Sequence, residues 1–162
     1  MIDQLPYISI QYKNRYNHHD MQVLLDKYFL NIFNELLVKN GYGCKKEEIK
    51  NIAEKLVPVI LSLKEYYNVL RPHELSLREN IPFTYDYLST AQTASYPSGH
   101  TTQAYYLAYK FSEEYPKLKD VFFNLAKRVA ESRVDRGVHF ISDNKAGVLL
   151  AKKLYEIDKK FK

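Results

Sequence analysis

The sequence is poor in the residues that build disulfides, rigid turns and membrane spans. A single cysteine, Cys44, stands among 162 residues. No internal disulfide can form, no second cysteine offers metal or redox pairing, and Cys44 reads as a plain structural or surface thiol. Tryptophan is missing, and glycine and proline number only five and six, which excludes collagen-like and low-complexity chains. The longest apolar run, LVPVILSL at residues 56–63, holds a proline and falls far short of the ~20 residues that cross a bilayer, so no membrane span is expected. The amino terminus, MIDQLPYISIQYKN, lacks the basic start, apolar centre and small-residue cleavage site of a secretory leader, and the expected location is cytoplasmic.

What is present is an ordinary globular balance, 46% hydrophobic and 27% charged, enriched in 15 tyrosines. The length fits one domain spanning residues 1–162. A net charge of +5 suits an anionic partner: nucleic acid, an acidic membrane surface or a phosphorylated small molecule. The lysines of KNGYGCKKEEIK and AKKLYEIDKKFK are mixed with acids instead of forming a bare basic stripe. They read as solvated helix faces, and no nucleic-acid partner is expected.

Residues 19–40 place Val23, Leu24, Tyr28, Ile32, Phe33, Leu36 and Leu37 at helical spacing, with Gly41 and Gly43 as stops. His18 and His19 read as its polar start, and residues 1–44 form an amino-terminal helical part. A second helix runs from about residue 45 to Leu70 through Ile49, Ile52, Ala53, Leu56, Ile60, Leu63 and Tyr67, with a kink expected at Pro58. Residues 71–97 have no sustained period and read as a long irregular segment, functional if ordered. Helices follow at Gly99 to Glu114, at about 118–134 and at about 142–159. With no convincing strand pair, the fold class is all-α, a helical bundle of about five to seven helices.

Three short segments carry chemistry. In KEYYNVLRP, Lys64 and Arg71 are seven apart, two turns of a helix, so both cations point along one face and suit an anion; taken alone, the pair reads first as a solvated face with a helix-ending proline. In PSGH, Pro97 fixes the entry, Ser98 is a good N-cap and Gly99 admits a close ligand. The free N–H groups of that helix start favour an anion. His100, in the first turn, can face the same anion, or be a capping-turn histidine without chemistry. In SRVDRGVHFISD, Arg133 offers a planar fork for two phosphate oxygens. His139 and Asp143 are four apart, so the carboxylate can accept from one ring nitrogen and leave the other's lone pair ready to attack. Gly137 gives room beside it. Asp135 and Arg136 read as an exposed turn or a mutual salt bridge, and His73 as a solvated loop histidine. Tyr96, Tyr105 and Tyr106 read as packing residues, with stacking on an aromatic leaving group as the alternative.

Lys64 to Pro72, Pro97 to His100 and Ser132 to Asp143 resemble, in order and spacing, the tripartite signature of the phosphatidic-acid-phosphatase type 2 superfamily. That superfamily also holds bacterial class A non-specific acid phosphatases, to which SYPSGHT is most similar, and vanadium haloperoxidases. The resemblance spans residues 64–143 and implies an all-helical domain, a phosphohistidine intermediate, no metal and no cofactor. It assigns the phosphoryl oxygens to Lys64, Arg71, Arg133, Ser98 and the N–H of Gly99. His139 becomes the nucleophile, His100 the general acid and Asp143 the group that orients His139. Membrane relatives carry transmembrane helices and secreted ones are longer with leaders, so a compact intracellular or virus-encoded version is the expectation.

The function expected from all this is a soluble, metal-independent phosphatase for small phosphomonoesters, nucleotides among them. The alternatives are a vanadate-dependent haloperoxidase and a non-catalytic phosphate- or nucleic-acid-binding module. A homodimer stays open.

Overall fold

The computed structural model describes residues 19–85 and 87–162, with side chains from Leu25 onward. The amino-terminal stretch through His18 lies outside the described residues, as do the side chains of Val23 and Leu24. The elements are α1 (His19–Lys39), α2 (Lys46–Tyr67), α3 (Pro72–Arg78), α4 (Gly99–Glu114), α5 (Lys119–Asp135) and α6 (Ile141–Lys160), with 3-10 turns at Ser89–Ala91 and Pro116–Leu118. No strand occurs among the described residues, and the expected all-α class is the one adopted. Cys44 is exposed and free.

The central element is α4, which packs against α5, α6, α2 and α1. Its Ala104, Leu107, Ala108 and Phe111 meet Phe29, Phe33 and Leu37 of α1 and Phe122, Leu125, Ala126 and Val129 of α5 in one core. Its Tyr106 joins Leu56 and Ile60 of α2 and Ala151 and Tyr155 of α6 in a second. Each large side chain buried there contributes about 1.5–3 kcal/mol relative to exposure. The tyrosines of α4 are thus spent on packing: Tyr106 is buried and bonds Asp158, and Tyr105 packs near Phe123.

Two helices carry the site through their apolar stripes. On α2, Ile49, Ala53, Leu56 and Ile60 are buried at helical spacing, and the next position on that stripe is Lys64, only 5% exposed. The periodicity that buries the leucine and isoleucines therefore delivers a lysine to the interior. On α1 the buried residues are Leu25, Phe29, Phe33 and Leu37, while Tyr28 is 40% exposed. The expected face was turned away from this by about one residue, because apolar residues cover much of this helix. The observed rotation also carries Asp26 inward.

The expected irregular segment 71–97 is partly regular. Pro72 stands at the start of α3, and the Arg71 N–H donates to Glu74 Oε2 at 2.6 Å, a capping arrangement; seven residues are too few to show a period. Pro58 does not end α2, which continues to Tyr67 and is capped by Asn68 in the left-handed region (φ 45°). Lys64 and Arg71 consequently do not share a helix, contrary to the two-turn spacing argument. The helix ends between them, at Tyr67, and Asn68 follows in the left-handed region.

Two glycines set close approaches. A Cβ on Gly147 of α6 would lie 2.9 Å from Ser98 O and 3.0 Å from Thr101 Cβ, so α6 crosses the start of α4 at backbone contact. Gly137 has φ +74°, and a Cβ there would meet Phe83 Cζ at 2.8 Å: the room beside His139 is filled by a ring from the 81–87 segment. Gly137→Ala should therefore lower Tm by ~3–10 °C, combining backbone strain with overpacking. Gly41→Ala, with φ +81° but nothing within 4 Å, should lower it clearly less. Equal shifts in thermal melts would contradict the Phe83 contact.

Candidate active site

The three signature segments converge because α2, α4 and α6 meet at one end. Ser98 N–H donates to Asp143 O at 3.0 Å, joining the entry of α4 to the first turn of α6. Ser98 Oγ caps its helix, accepting from Thr101 N at 3.4 Å and donating to Thr101 Oγ1 at 2.9 Å. Thr101 Oγ1 donates in turn to Asn144 Oδ1 at 2.8 Å, and Asn144 Nδ2 reaches Ala130 O on α5.

His139 is buried, with Nδ1 3.1 Å from Asp143 Oδ2. The same carboxylate oxygen accepts from Ser95 Oγ at 2.5 Å and from the Phe140 N–H at 2.9 Å. Burial lifts the pKa of Asp143, opposed by those hydrogen bonds and by the charges of Lys64 and Arg71. Burial pushes His139 well below the usual histidine range, helped by Arg133, Arg71 and Lys64. The ring is therefore neutral, with Nδ1–H held by Asp143 and the lone pair on Nε2, which lies 3.4 Å from Arg71 Nη1. That is the protonation state a nitrogen nucleophile needs.

The cations are held by oxygens of the chain. Lys64 Nζ donates to Ala94 O at 2.6 Å and Ser95 O at 3.2 Å. Arg71 Nε donates to Thr93 O at 2.7 Å and Nη1 to Val138 O at 2.8 Å. Arg133 is fully buried and ion-paired with Asp26 of α1, and its guanidinium nitrogens have no hydrogen-bond partner of good geometry among the described residues. Arg136, expected in an exposed turn or in a salt bridge with Asp135, is buried and stands 3.3 Å from Asp26 Oδ2. The reason is the rotation of α1, which offers it a carboxylate.

His100 is 15% exposed at its side chain, with Nε2 3.1 Å from Asp26 O and 3.4 Å from Asp26 Oδ1. Burial, then Lys64, Arg71 and Arg136, lower its pKa to about 4. His73 is half-buried and stacked on Tyr85 at 4.2 Å, not solvated in a loop as expected; its place at the start of α3 brings it under the 81–87 segment.

All eight expected site residues thus gather at one end of the bundle. Sequence reasoning missed Asp26, Ser95 and Arg136. Ser95 stands three residues before Ser98, but nothing in its type or spacing marks it.

The buried formal charges of the described residues are Lys64, Arg71, Arg133 and Arg136 against Asp26 and Asp143. Among these described residues four buried cations face two buried carboxylates, an excess of positive charge that suits an oxyanion. Two openings adjoin this cluster. A groove of about 450 Å³ is lined by Leu61, Lys64, Glu65, Asn68, Thr93 and Ala94. A cleft of about 90 Å³ is lined by His73, Tyr85, Tyr87, Gln92 and Val138, among others. No group of three metal-ligating side chains occurs among the described residues.

A family model described as the PAP2 superfamily matches residues 52–152. The chain belongs to the PAP2 superfamily. The match contains every signature position from Lys64 to Asp143, and it leaves α1, with Asp26, outside. Among solved structures, this PAP2 chain is similar to a transmembrane PAP2-type phosphatidylglycerolphosphate phosphatase from Bacillus subtilis. The TM-score is 0.66 and the identity 18%, covering 99% of this chain and 86% of that one; at this identity the fold is what the two share. No curated protein matches. No described helix is long and apolar enough to cross a membrane.

Burial, and next the charge of Arg71, pull Lys64 down to about 7. A bound dianion reverses this, so binding near pH 8 should take up protons as Lys64 recharges. Sulfate, which has no titratable proton there, is the probe. Calorimetry in buffers of different ionisation enthalpy should show uptake approaching one proton; none, or release, would remove Lys64 from the anion site.

Proposed function

We propose that this PAP2 protein hydrolyses small water-soluble phosphomonoesters through a phosphohistidine, without a metal ion. The observation that carries the reading is the gathering of Lys64, Arg71 and Arg133 around a buried histidine oriented by the Asp143 carboxylate. Phosphoryl transfer needs mainly positioning and charge stabilisation, and Lys64, Arg71, Arg133 and the N–H groups at the start of α4 supply both. His139 Nε2 attacks phosphorus as the bond to the leaving oxygen breaks, and His100 gives that oxygen its proton. Water then attacks the phosphohistidine, passing a proton to His100; the P–N bond breaks and phosphate leaves.

The groove beside Lys64 is bordered by Glu65, Asn68 and Thr93, which favours a polar leaving group, nucleosides and sugars included. A second reading, an amphiphilic lipid phosphate, is favoured by the exposed ring of Tyr87, 76% exposed, which lines the smaller cleft. A phosphate-release screen across nucleotides, sugar phosphates, diphosphates and soluble lipid phosphates, with and without chelator, separates the two. Release should persist in excess chelator. Activity that disappears and returns with Mg²⁺ or Zn²⁺ would sink the metal-free mechanism.

His139→Ala should cut turnover by several orders of magnitude, since it removes the bond-forming atom. His100→Ala should cost an alkyl phosphate at least ~10-fold more in kcat/KM than a nitrophenyl phosphate, whose phenolate leaves without a proton. Because His100 sits at about 4 and acts in its protonated form, kcat/KM for the alkyl substrate should be highest on the acid side and fall as pH rises. Equal losses for both substrates, or a profile rising toward alkaline pH, would reassign His100 as a binding residue.

A further inference from the structure

Asp26 lies outside the matched segment, is 8% exposed, and faces three groups of the site. Its Oδ1 is ion-paired with Arg133 Nη1 and stands 3.4 Å from His100 Nε2, while its Oδ2 is 3.3 Å from Arg136 Nη1. Its backbone oxygen is 3.1 Å from the same His100 Nε2. Phe29, one turn further along α1, packs its ring against His100 with centroids 5.3 Å apart. One helix therefore grips the imidazole by an edge and a face.

Both Asp26 atoms near Nε2 are acceptors, so Nε2 must carry a hydrogen. Nδ1 is then the nitrogen that gains and loses the proton. We propose that Asp26 is the positioning residue for proton delivery: it fixes the Nε2–H form of His100, leaves Nδ1 as the atom that protonates the leaving oxygen, and supplies the negative charge that lets the ring take that proton up. The charged groups around His100 are Lys64 from α2, Arg71 before α3, Arg133 at the end of α5, Arg136 just after it and His139 before α6. Each is cationic or becomes so on protonation, and each opposes a charged His100. Among the described residues Asp26 is the carboxylate in contact with it, and a carboxylate at this range favours the charged ring by about one pKa unit or more. Through Arg133 the same side chain aims a phosphate-holding fork, so one residue of α1 couples charge stabilisation to proton transfer.

This proposal rests on the phosphatase reading above, and two kinds of measurement keep the two separable. In the wild-type protein, nitrogen-15 spectra of labelled histidine should show His100 at neutral pH with Nε2 protonated and Nδ1 bare. The opposite tautomer overturns the proposal without any variant. In kcat/KM profiles, Asp26→Asn should move the alkaline fall for an alkyl phosphate down by about one pH unit. It should also cost that substrate about tenfold more than nitrophenyl phosphate, and Asp26→Glu should recover most of the loss. An unmoved limb with equal losses for both substrates would make Asp26 merely structural. Higher activity with tighter phosphate inhibition in Asp26→Asn would make it a plug in the anion site, which also overturns the proposal. If Asp26→Asn does not fold, the tautomer and the limb of Asp26→Glu, expected within about half a pH unit of wild type, decide. If the wild-type protein releases no phosphate from any ester, the phosphatase reading fails alone. The His100 tautomer and its titration in Asp26→Asn, lowered if the proposal holds and unchanged if not, still test Asp26.

Discussion

Four cations held out of water at one end of a helical bundle are the constraint on which the rest of the structure depends. Burying a charge without compensation costs several kcal/mol per ion even after relaxation. Each feature around the site answers that cost in part. The strap 93–95 turns three carbonyls onto Lys64 and Arg71, Val138 adds a fourth for Arg71, and Asp26 takes Arg133 and Arg136. Asp143, held by Ser95 and the Phe140 N–H, balances the cluster from the far side of His139. Among the described residues the buried cations still outnumber the buried carboxylates. A packing argument alone would replace these side chains with apolar ones of similar volume; their retention is a statement about an anion.

How much of this was legible in the sequence follows from the range of each interaction. The start of α4 was readable to the residue, because Ser98 caps its own helix three positions on and Pro116 stops it. The burial of Lys64 was implicit in the α2 stripe. The His139–Asp143 pair was readable because four residues separate the partners across the first turn of a helix. Pairing between remote segments was not: Asp26 and Arg133 are brought together only by the packing of α1 on α5. The rotation of α1 was open among overlapping apolar stripes, and α3 is too short to have a period. The left-handed Asn68 that separates Lys64 from Arg71 shows why seven-residue spacing is a weak guide when a helix end falls inside it.

The electrostatics of the site also bear on the proposed chemistry. His100 at about 4 and Lys64 at about 7 are both depressed by burial and by neighbouring cations, so near neutral pH the free protein holds an uncharged acid and a half-charged lysine. Neither state suits phosphoryl transfer, which needs a cationic clamp and a proton donor. A phosphate dianion bound among these groups would add negative charge beside them and raise both proton affinities together. On the proposed mechanism, the substrate would thereby help assemble the charges that react with it. The strength of that coupling depends on how dry the site is, since burial raises both the penalty in the free protein and the attraction once the anion is bound. The carbonyl strap 93–95 occupies the donors of both cations, so Lys64 and Arg71 must shift those bonds from carbonyl to phosphoryl oxygen as an anion enters.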